Sequence, residues 1–116
     1  MRWTAAAFVV VTAATLGCAT TSNPTELLAD SQAATRAADE LGAGEHPEAA
    51  LYLKLAQEQI DAAKVAIKDK KFEEATALLN RAGADAELAM ELSKSIEARR
   101  EADRLSEEVA SLRAAP

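Results

Sequence analysis

The sequence has little of what covalent cross-links and most binding sites are built from. Its 116 residues contain one cysteine, one histidine and four aromatic side chains. A single cysteine excludes an intramolecular disulfide and cannot build a structural zinc site. The chain also lacks a phosphate-binding glycine loop and a serine in a nucleophile elbow. We therefore expect no enzyme and no cofactor.

Long hydrophobic runs are absent as well. An uncharged, largely apolar run from Ala5 to Ala14 follows Arg2 and is about half the ~20 residues that a membrane-spanning helix needs. A positive start, a short apolar core and small residues before a cut site are typical of a secretory signal peptide. The alternative is a buried N-terminal helix of the folded domain.

The residues that end this run carry a more specific pattern, Ala14-Thr15-Leu16-Gly17-Cys18-Ala19. It resembles the lipobox of bacterial lipoproteins, although Thr15 stands where leucine is usual. The resemblance implies that residues 1–17 are a signal peptide cleaved after Gly17, and that Cys18 receives a diacylglyceryl group. Two acyl chains suffice for a stable anchor. Residues 18–23 would then be a lipidated tether, and Ala19, rather than Asp, implies the outer membrane facing the periplasm.

The expected mature chain is acidic. Arg2 is the one charged residue among the first 17, so cleavage leaves 12 basic and 19 acidic side chains and a net charge of −7. This charge argues against nucleic acid, whose binding depends on Lys and Arg. Tyr52 and Phe72 alone cannot form a base-stacking platform or an aromatic sugar cleft.

Alanine, the best helix former, makes up about a quarter of the mature chain, so we predict an all-α fold. Start and stop signals divide residues 24–98 into an antiparallel hairpin or three-helix bundle. Asn23 caps a first helix that ends near Leu41 at the glycines that follow. Pro47 opens the second helix, which ends at the turn Asp69-Lys70-Lys71, and a long third helix follows.

Apolar and small residues recur at steps of three and four in each helix, which predicts coiled-coil-like seams. The predicted seam residues are Leu27, Ser31, Ala34, Ala38 and Leu41 in the first helix, Leu53, Ala56, Ile60, Ala63 and Ile67 in the second, and Phe72, Ala75, Leu79, Ala82, Ala86, Ala89 and Ser93 in the third. We interpret Gly83 as a site of close helix packing, the alternative being a hinge.

The spacing of these alanines resembles a known family, the bacterial lipoprotein domain of unknown function numbered 4398. The matching segments are Ala37-Ala38-Asp39-Glu40-Leu41-Gly42-Ala43, Pro47-Glu48, Phe72-Glu73-Glu74-Ala75 and Ala84-Asp85-Ala86-Glu87-Leu88-Ala89. They cover roughly residues 28–95, and His46 stands where members often have tyrosine. The resemblance implies an alanine-rich helical domain and no catalytic residue.

Two groups of residues outside the seams have both a structural and a functional interpretation. His46 is expected to be a helix-entry loop residue rather than a metal ligand, because one histidine beside exposed carboxylates is a poor transition-metal site. Four lysines gather at the second turn. They complement the dipole of the second helix, or they contact anionic headgroups, since this turn is expected at the same end as Asn23. They are Lys64, Lys68, Lys70 and Lys71, called the lysine tip below.

The third helix is predicted to extend well beyond its neighbours. Residues 99–116, the C-terminal extension, carry an apolar stripe formed by Ala102, Leu105, Val109 and Leu112. We interpret the stripe as a surface for a partner helix, the alternative being a frayed alanine-rich tail.

These features favour a membrane-anchored lipoprotein with a non-catalytic interaction or scaffolding role in the cell envelope. One alternative is a self-assembling spacer resembling the murein lipoprotein, although the end Arg113-Ala114-Ala115-Pro116 offers no lysine for attachment to peptidoglycan. Another is a small-ligand carrier, for which alanine-packed helices leave little room. The expected partners are an envelope protein or a second copy of the chain.

Overall fold

The computed structural model describes residues 23–116. They form helix α1 (Pro24–Glu40), a 3-10 turn (Ala43–Glu45), helix α2 (Pro47–Lys68) and helix α3 (Phe72–Ala114). No strand occurs within this part of the chain. The prediction of an all-α fold with a long C-terminal helix is confirmed.

Local signals fix both ends of α1. The Asn23 side chain accepts a hydrogen bond from the backbone N–H of Thr25 at 3.0 Å, and Pro24 occupies the first turn. This satisfies one of the amide groups that a helix N-terminus leaves without a partner. At the other end Gly42 adopts a left-handed conformation with φ 78°, which ends a helix at little steric cost.

The turn between α2 and α3 uses the same geometry without a glycine. Lys70 has φ 60°. Its N–H donates to the Ile67 carbonyl oxygen at 3.1 Å, and the N–H of Lys71 donates to that of Ala66 at 2.9 Å. These two bonds form a Schellman motif, which normally favours glycine where Lys70 stands. The sharp turn returns α3 antiparallel to α2.

The helices enclose two apolar clusters that define the topology. One contains Ile60 and Leu79, with Leu27 from the start of α1 packed against it. The other contains Leu53 with Ala38 from the end of α1. Helix α1 therefore runs antiparallel to α2 and parallel to α3, so that Asn23 and the lysine tip lie at the same end of the bundle.

Most of the predicted seam is buried. The buried residues it includes are Ser31 and Ala38 in α1, Leu53, Ala56, Ile60 and Ala63 in α2, and Ala75, Leu79, Ala82, Ala86, Ala89 and Ser93 in α3. The small side chains in this set let the three backbones approach closely.

Five predicted seam positions are not fully buried, and two of them, Leu27 and Ile67, are half-buried and pack against the cluster that contains Ile60 and Leu79. Thr35 is buried in place of Ala34, because its hydroxyl donates to the Ser31 carbonyl oxygen at 2.8 Å and so carries no unsatisfied donor into the core. Ala66 is buried, whereas its neighbour Ile67 is only half-buried. Phe72 and Leu41 are exposed, since each lies at the end of a helix, where the neighbouring helices do not cover it.

Gly83 does not mark a close approach of two helices. A Cβ built on it would meet nothing within 4 Å, and α3 is helical through this position. Gly83 lines an open groove between α1 and α3 with Leu27 and Ala34. The close-packing interpretation is therefore wrong, and the space beside Gly83 can accommodate a methyl group.

Candidate functional site

The predicted lipidation site lies outside the described residues. Cys18 and Gly17 both precede residue 23, the first of the described residues. Helix α1 begins at Pro24, so the tether from Cys18 to the first helix is six residues long, or at most about 20 Å when fully extended. No helix among residues 23–116 is long and apolar enough to cross a membrane.

In the lysine tip Lys68, Lys70 and Lys71 are exposed and Lys64 is half-buried, and the charge of these lysines is balanced locally. Lys64 lies 2.8 Å from Asp61 and Lys71 lies 3.8 Å from Glu74. Asp69 and Glu73 are further acidic residues in the same stretch, so residues 61–74 carry four lysines and four carboxylates. Headgroup contact by the lysine tip stays a prediction, and no net positive charge attracts an anionic surface to it.

His46 lies at the start of α2, as expected, and it is buried to an extent that the sequence did not indicate. It is the N-cap residue of α2, and only 3% of its side chain is exposed. Its Nε2 atom lies 3.0 Å from Oε1 of Glu97 on α3, and the same oxygen accepts a hydrogen bond from Arg100 at 2.9 Å. His46 thereby connects the loop after α1 to the last part of α3 that the bundle covers.

A second polar contact between helices was also missed. The Gln59 amide donates a hydrogen bond to Asp85 at 2.7 Å, joining α2 to α3. The Gln59 Oε1 atom is buried and has no partner among the described residues. The only sequence signal for this pair is the presence of polar residues beside the seam, which is too common a feature to predict a contact.

Among residues 23–116, no group of three or more His, Cys, Asp or Glu side chains is placed to hold a metal ion. A groove between α1 and α2 is lined mainly by polar side chains, among them Gln32, Arg36, Gln57 and Lys64. Ile60 is the one hydrophobic residue in this lining, whereas small-molecule pockets are lined predominantly by hydrophobic and aromatic side chains.

The C-terminal extension is exposed along its whole length. The last buried residue of α3 is Ser93, and every residue from 97 to 116 is exposed. Leu105, Val109 and Leu112 are 48%, 45% and 69% exposed. Because α3 begins beside the lysine tip and rises about 1.5 Å per residue, Leu112 lies roughly 60 Å from that end.

The apolar stripe does not continue the seam that faces α1 and α2. Successive helical residues are separated by about 100° around the axis, which places Leu105 and Val109 roughly 150° from the buried side of α3, centred near Ala82 and Ala89. The stripe therefore faces away from the two helices that pack on α3. This change of face is what leaves the stripe uncovered by the other described residues.

Ion pairs within α3 stabilise the extension as a helix. Arg100 lies 2.9 Å from Glu97, and Arg104 lies 2.6 Å from Glu101. Pairs of this kind contribute about 0.2–0.5 kcal/mol each. They support helical structure beyond the bundle without covering the stripe.

Comparison with known proteins extends the assignment suggested by the alanine spacing. The family model described as "Domain of unknown function (DUF4398)" matches residues 26–105. The match includes all of α1 after its first two residues, all of α2, and α3 as far as Leu105 in the exposed extension. No curated protein and no solved structure matches the chain.

Proposed function

Since the chain belongs to the DUF4398 family, whose function is unknown, we propose that it is a bacterial lipoprotein, anchored through Cys18, with a non-catalytic interaction or scaffolding role in the cell envelope. The proposal assigns residues 1–17 to a cleaved signal peptide and the described residues to a periplasm-facing domain. Its most specific support is the sequence Ala14 to Ala19, in which a lone cysteine follows small residues at the end of a short apolar run.

The interaction role is supported by how the bundle displays α3. A lipid on Cys18 would hold the Asn23 end of the domain close to the membrane, because the tether is at most about 20 Å long. Helix α3 starts at that end and finishes at the opposite one. The exposed apolar stripe would then stand roughly 60 Å from the anchored end, where it can reach a partner away from the bilayer surface.

Two other functions are alternative proposals. A self-assembling spacer resembling the murein lipoprotein would use α3 in a trimer. A small-ligand carrier would need an apolar pocket, and the groove between α1 and α2 is instead lined by Arg36 and Lys64 among other polar residues. The mass of the native assembly separates the spacer from the interaction module.

Lipid labelling of the full-length chain in a bacterial host tests the anchor. The wild-type chain should incorporate labelled fatty acid and lose residues 1–17, whereas Cys18→Ser should do neither. Thr20→Ser is the matched control, since it changes a hydroxyl-bearing residue two positions further on and should leave both events unchanged. A Cys18→Ser chain that is normally processed and membrane-bound would refute the proposal.

Sorting of the anchored chain is tested by the residue after the cysteine. In an enterobacterial host the wild-type chain should fractionate with the outer membrane. The resemblance to enterobacterial lipoproteins implies that Ala19→Asp should move the chain to the inner membrane while leaving lipid labelling intact. Equal distribution of the two chains would contradict outer-membrane sorting but not the anchor itself.

A further inference from the structure

The apolar stripe of the C-terminal extension is covered by nothing in the described chain, and its side chains indicate what covers it. We propose that the extension pairs with the same segment of a second copy of this chain, as a parallel, in-register, two-stranded coiled coil. This inference rests on the proposed interaction role and names the partner.

The first argument is the choice of residues along the stripe. Ala102 and Val109 fall on the a positions of a heptad, and Leu105 and Leu112 fall on its d positions. A β-branched residue at a with leucine at d favours two parallel strands over three or four. The stripe thus favours a dimer over a trimeric spacer.

The second argument is charge complementarity across the proposed interface. In a parallel dimer the g residue of one helix lies beside the e residue of the next heptad on the other. Glu108 at g therefore faces Arg113 of the partner subunit, and symmetry gives this pair twice. An antiparallel pairing about the centre of the stripe would oppose Glu108 to its own copy and Arg99 to Arg113. The charges select the parallel arrangement.

The third argument is the position of the rest of the domain. The stripe lies roughly 150° from the side of α3 that packs on α1 and α2. In a parallel dimer the α1 and α2 helices of each chain would therefore lie on the outer side of the paired α3 helices, where the two copies do not collide. Closer to the bundle, Lys94 at g would face Arg99 of the partner subunit at e. This repulsion ends the coil near residue 100.

The paired segment is short, which determines where it dimerises. From Ala98 to Leu112 it spans about two heptads, fewer than the three or four that mark a sustained coiled coil. Pairing is therefore weak for chains free in solution. Anchoring many copies in one membrane raises their effective concentration without any new contact, so we expect dimers at the membrane.

Disulfide trapping in isolated envelopes tests the pairing on the full-length chain. Because the Cys18 sulfur would carry the lipid, a cysteine introduced elsewhere is the only free thiol. Leu112→Cys places it at a d position facing its own copy across the dimer axis, and mild oxidation should give a covalent dimer. The control Ser111→Cys places the thiol on the adjacent residue, at a c position on the outer face of the coiled coil. It should give little covalent dimer.

Charge reversal on the Leu112→Cys background then tests the orientation. Glu108→Arg or Arg113→Glu replaces the two attractive Glu108–Arg113 contacts of the proposed dimer with two repulsive ones. The density of the chain in the membrane that is needed for half-maximal trapping should then rise by about tenfold. The double variant carrying both changes should restore trapping to near the original density. None of these exposed side chains contributes to the bundle core, and circular dichroism should confirm unchanged folding.

Each outcome bears on one claim. Equal trapping of Leu112→Cys and Ser111→Cys, or a double variant that stays as weak as the single ones, would overturn the parallel pairing. A trapped product that contains a different protein would also overturn it. A covalent dimer of the wild-type chain would instead mean that Cys18 has a free thiol, which contradicts the lipid anchor and leaves the pairing to be judged from the other variants.

Discussion

Gly83 lies in the interior of a 43-residue helix whose backbone does not require a glycine. Replacing it with alanine should therefore stabilise the protein. A Cβ at this position meets nothing within 4 Å, so the substitution introduces no clash, and the residue is part of α3. A glycine within a helix costs about 0.5–1 kcal/mol relative to alanine, largely through the greater conformational freedom of the unfolded chain. For a domain of this size that gain corresponds to a rise in melting temperature of about 2–8 °C.

Thermal and urea unfolding followed by circular dichroism measure the effect. The reciprocal variant Ala84→Gly is the matched control, because Ala84 is an exposed neighbour in the same helix and should lose about as much as Gly83→Ala gains. A Gly83→Ala chain that is less stable than the wild type would refute the reasoning. It would mean that α1 lies closer to α3 at Gly83 than the open groove between the two helices indicates.

Four further predictions concern the core, the turn, the buried histidine and the extension. Ile60→Ala should lower the free energy of unfolding by about 2–5 kcal/mol, because Ile60 is 5% exposed, and a loss below about 0.5 kcal/mol in urea unfolding would rule out its buried position. Lys70→Gly should raise the melting temperature, because a left-handed backbone costs a lysine about 1 kcal/mol and costs a glycine almost nothing. An unchanged or lower melting temperature would argue against the φ of 60° at Lys70. His46→Ala should cost about 1–3 kcal/mol in denaturant unfolding, whereas Glu97→Gln keeps an oxygen near Nε2 and should cost much less; a His46→Ala loss below about 0.5 kcal/mol would argue against the buried contact. Truncation after Ala98 should leave the melting temperature nearly unchanged, and unfolding of the shortened chain would show that the extension belongs to the core.

The sequence predicted the helices well because three of the boundaries have a local chemical cause. Asn23, Gly42 and Pro47 act through their own backbone and capping chemistry, which does not depend on the rest of the fold. The seams of α2 and α3 followed from a strict spacing of three and four residues. The relative directions of the three helices followed from the short connections between them, because short connections require antiparallel neighbours.

The errors have a common origin in tertiary packing. Phe72 is hydrophobic and in register with the seam, but it lies at a helix end that no other element covers. Thr35 was not assigned to the seam, although its hydroxyl bonds to the Ser31 carbonyl oxygen of the same helix and is buried. Gly83 was interpreted as a contact because glycine often marks one, and here it lines a groove.

The polar contacts depend on geometry that periodicity does not encode. His46 and Glu97 are separated by 51 positions in the chain and meet because the bundle brings the start of α2 against the late part of α3. Gln59 and Asp85 meet across the same pair of helices. The apolar stripe could be predicted from the sequence, and the structure shows that Leu105, Val109 and Leu112 are exposed.

Intact-mass spectrometry of the chain purified from bacterial envelopes tests the central claim most directly. The account predicts a polypeptide that begins at Cys18, with an added mass equal to a diacylglyceryl group and, where the new amine is acylated, one further acyl chain. Fragmentation should place that mass on the N-terminal residue. A chain that retains Met1 to Gly17, or that begins at Cys18 with an unmodified thiol, would contradict the account.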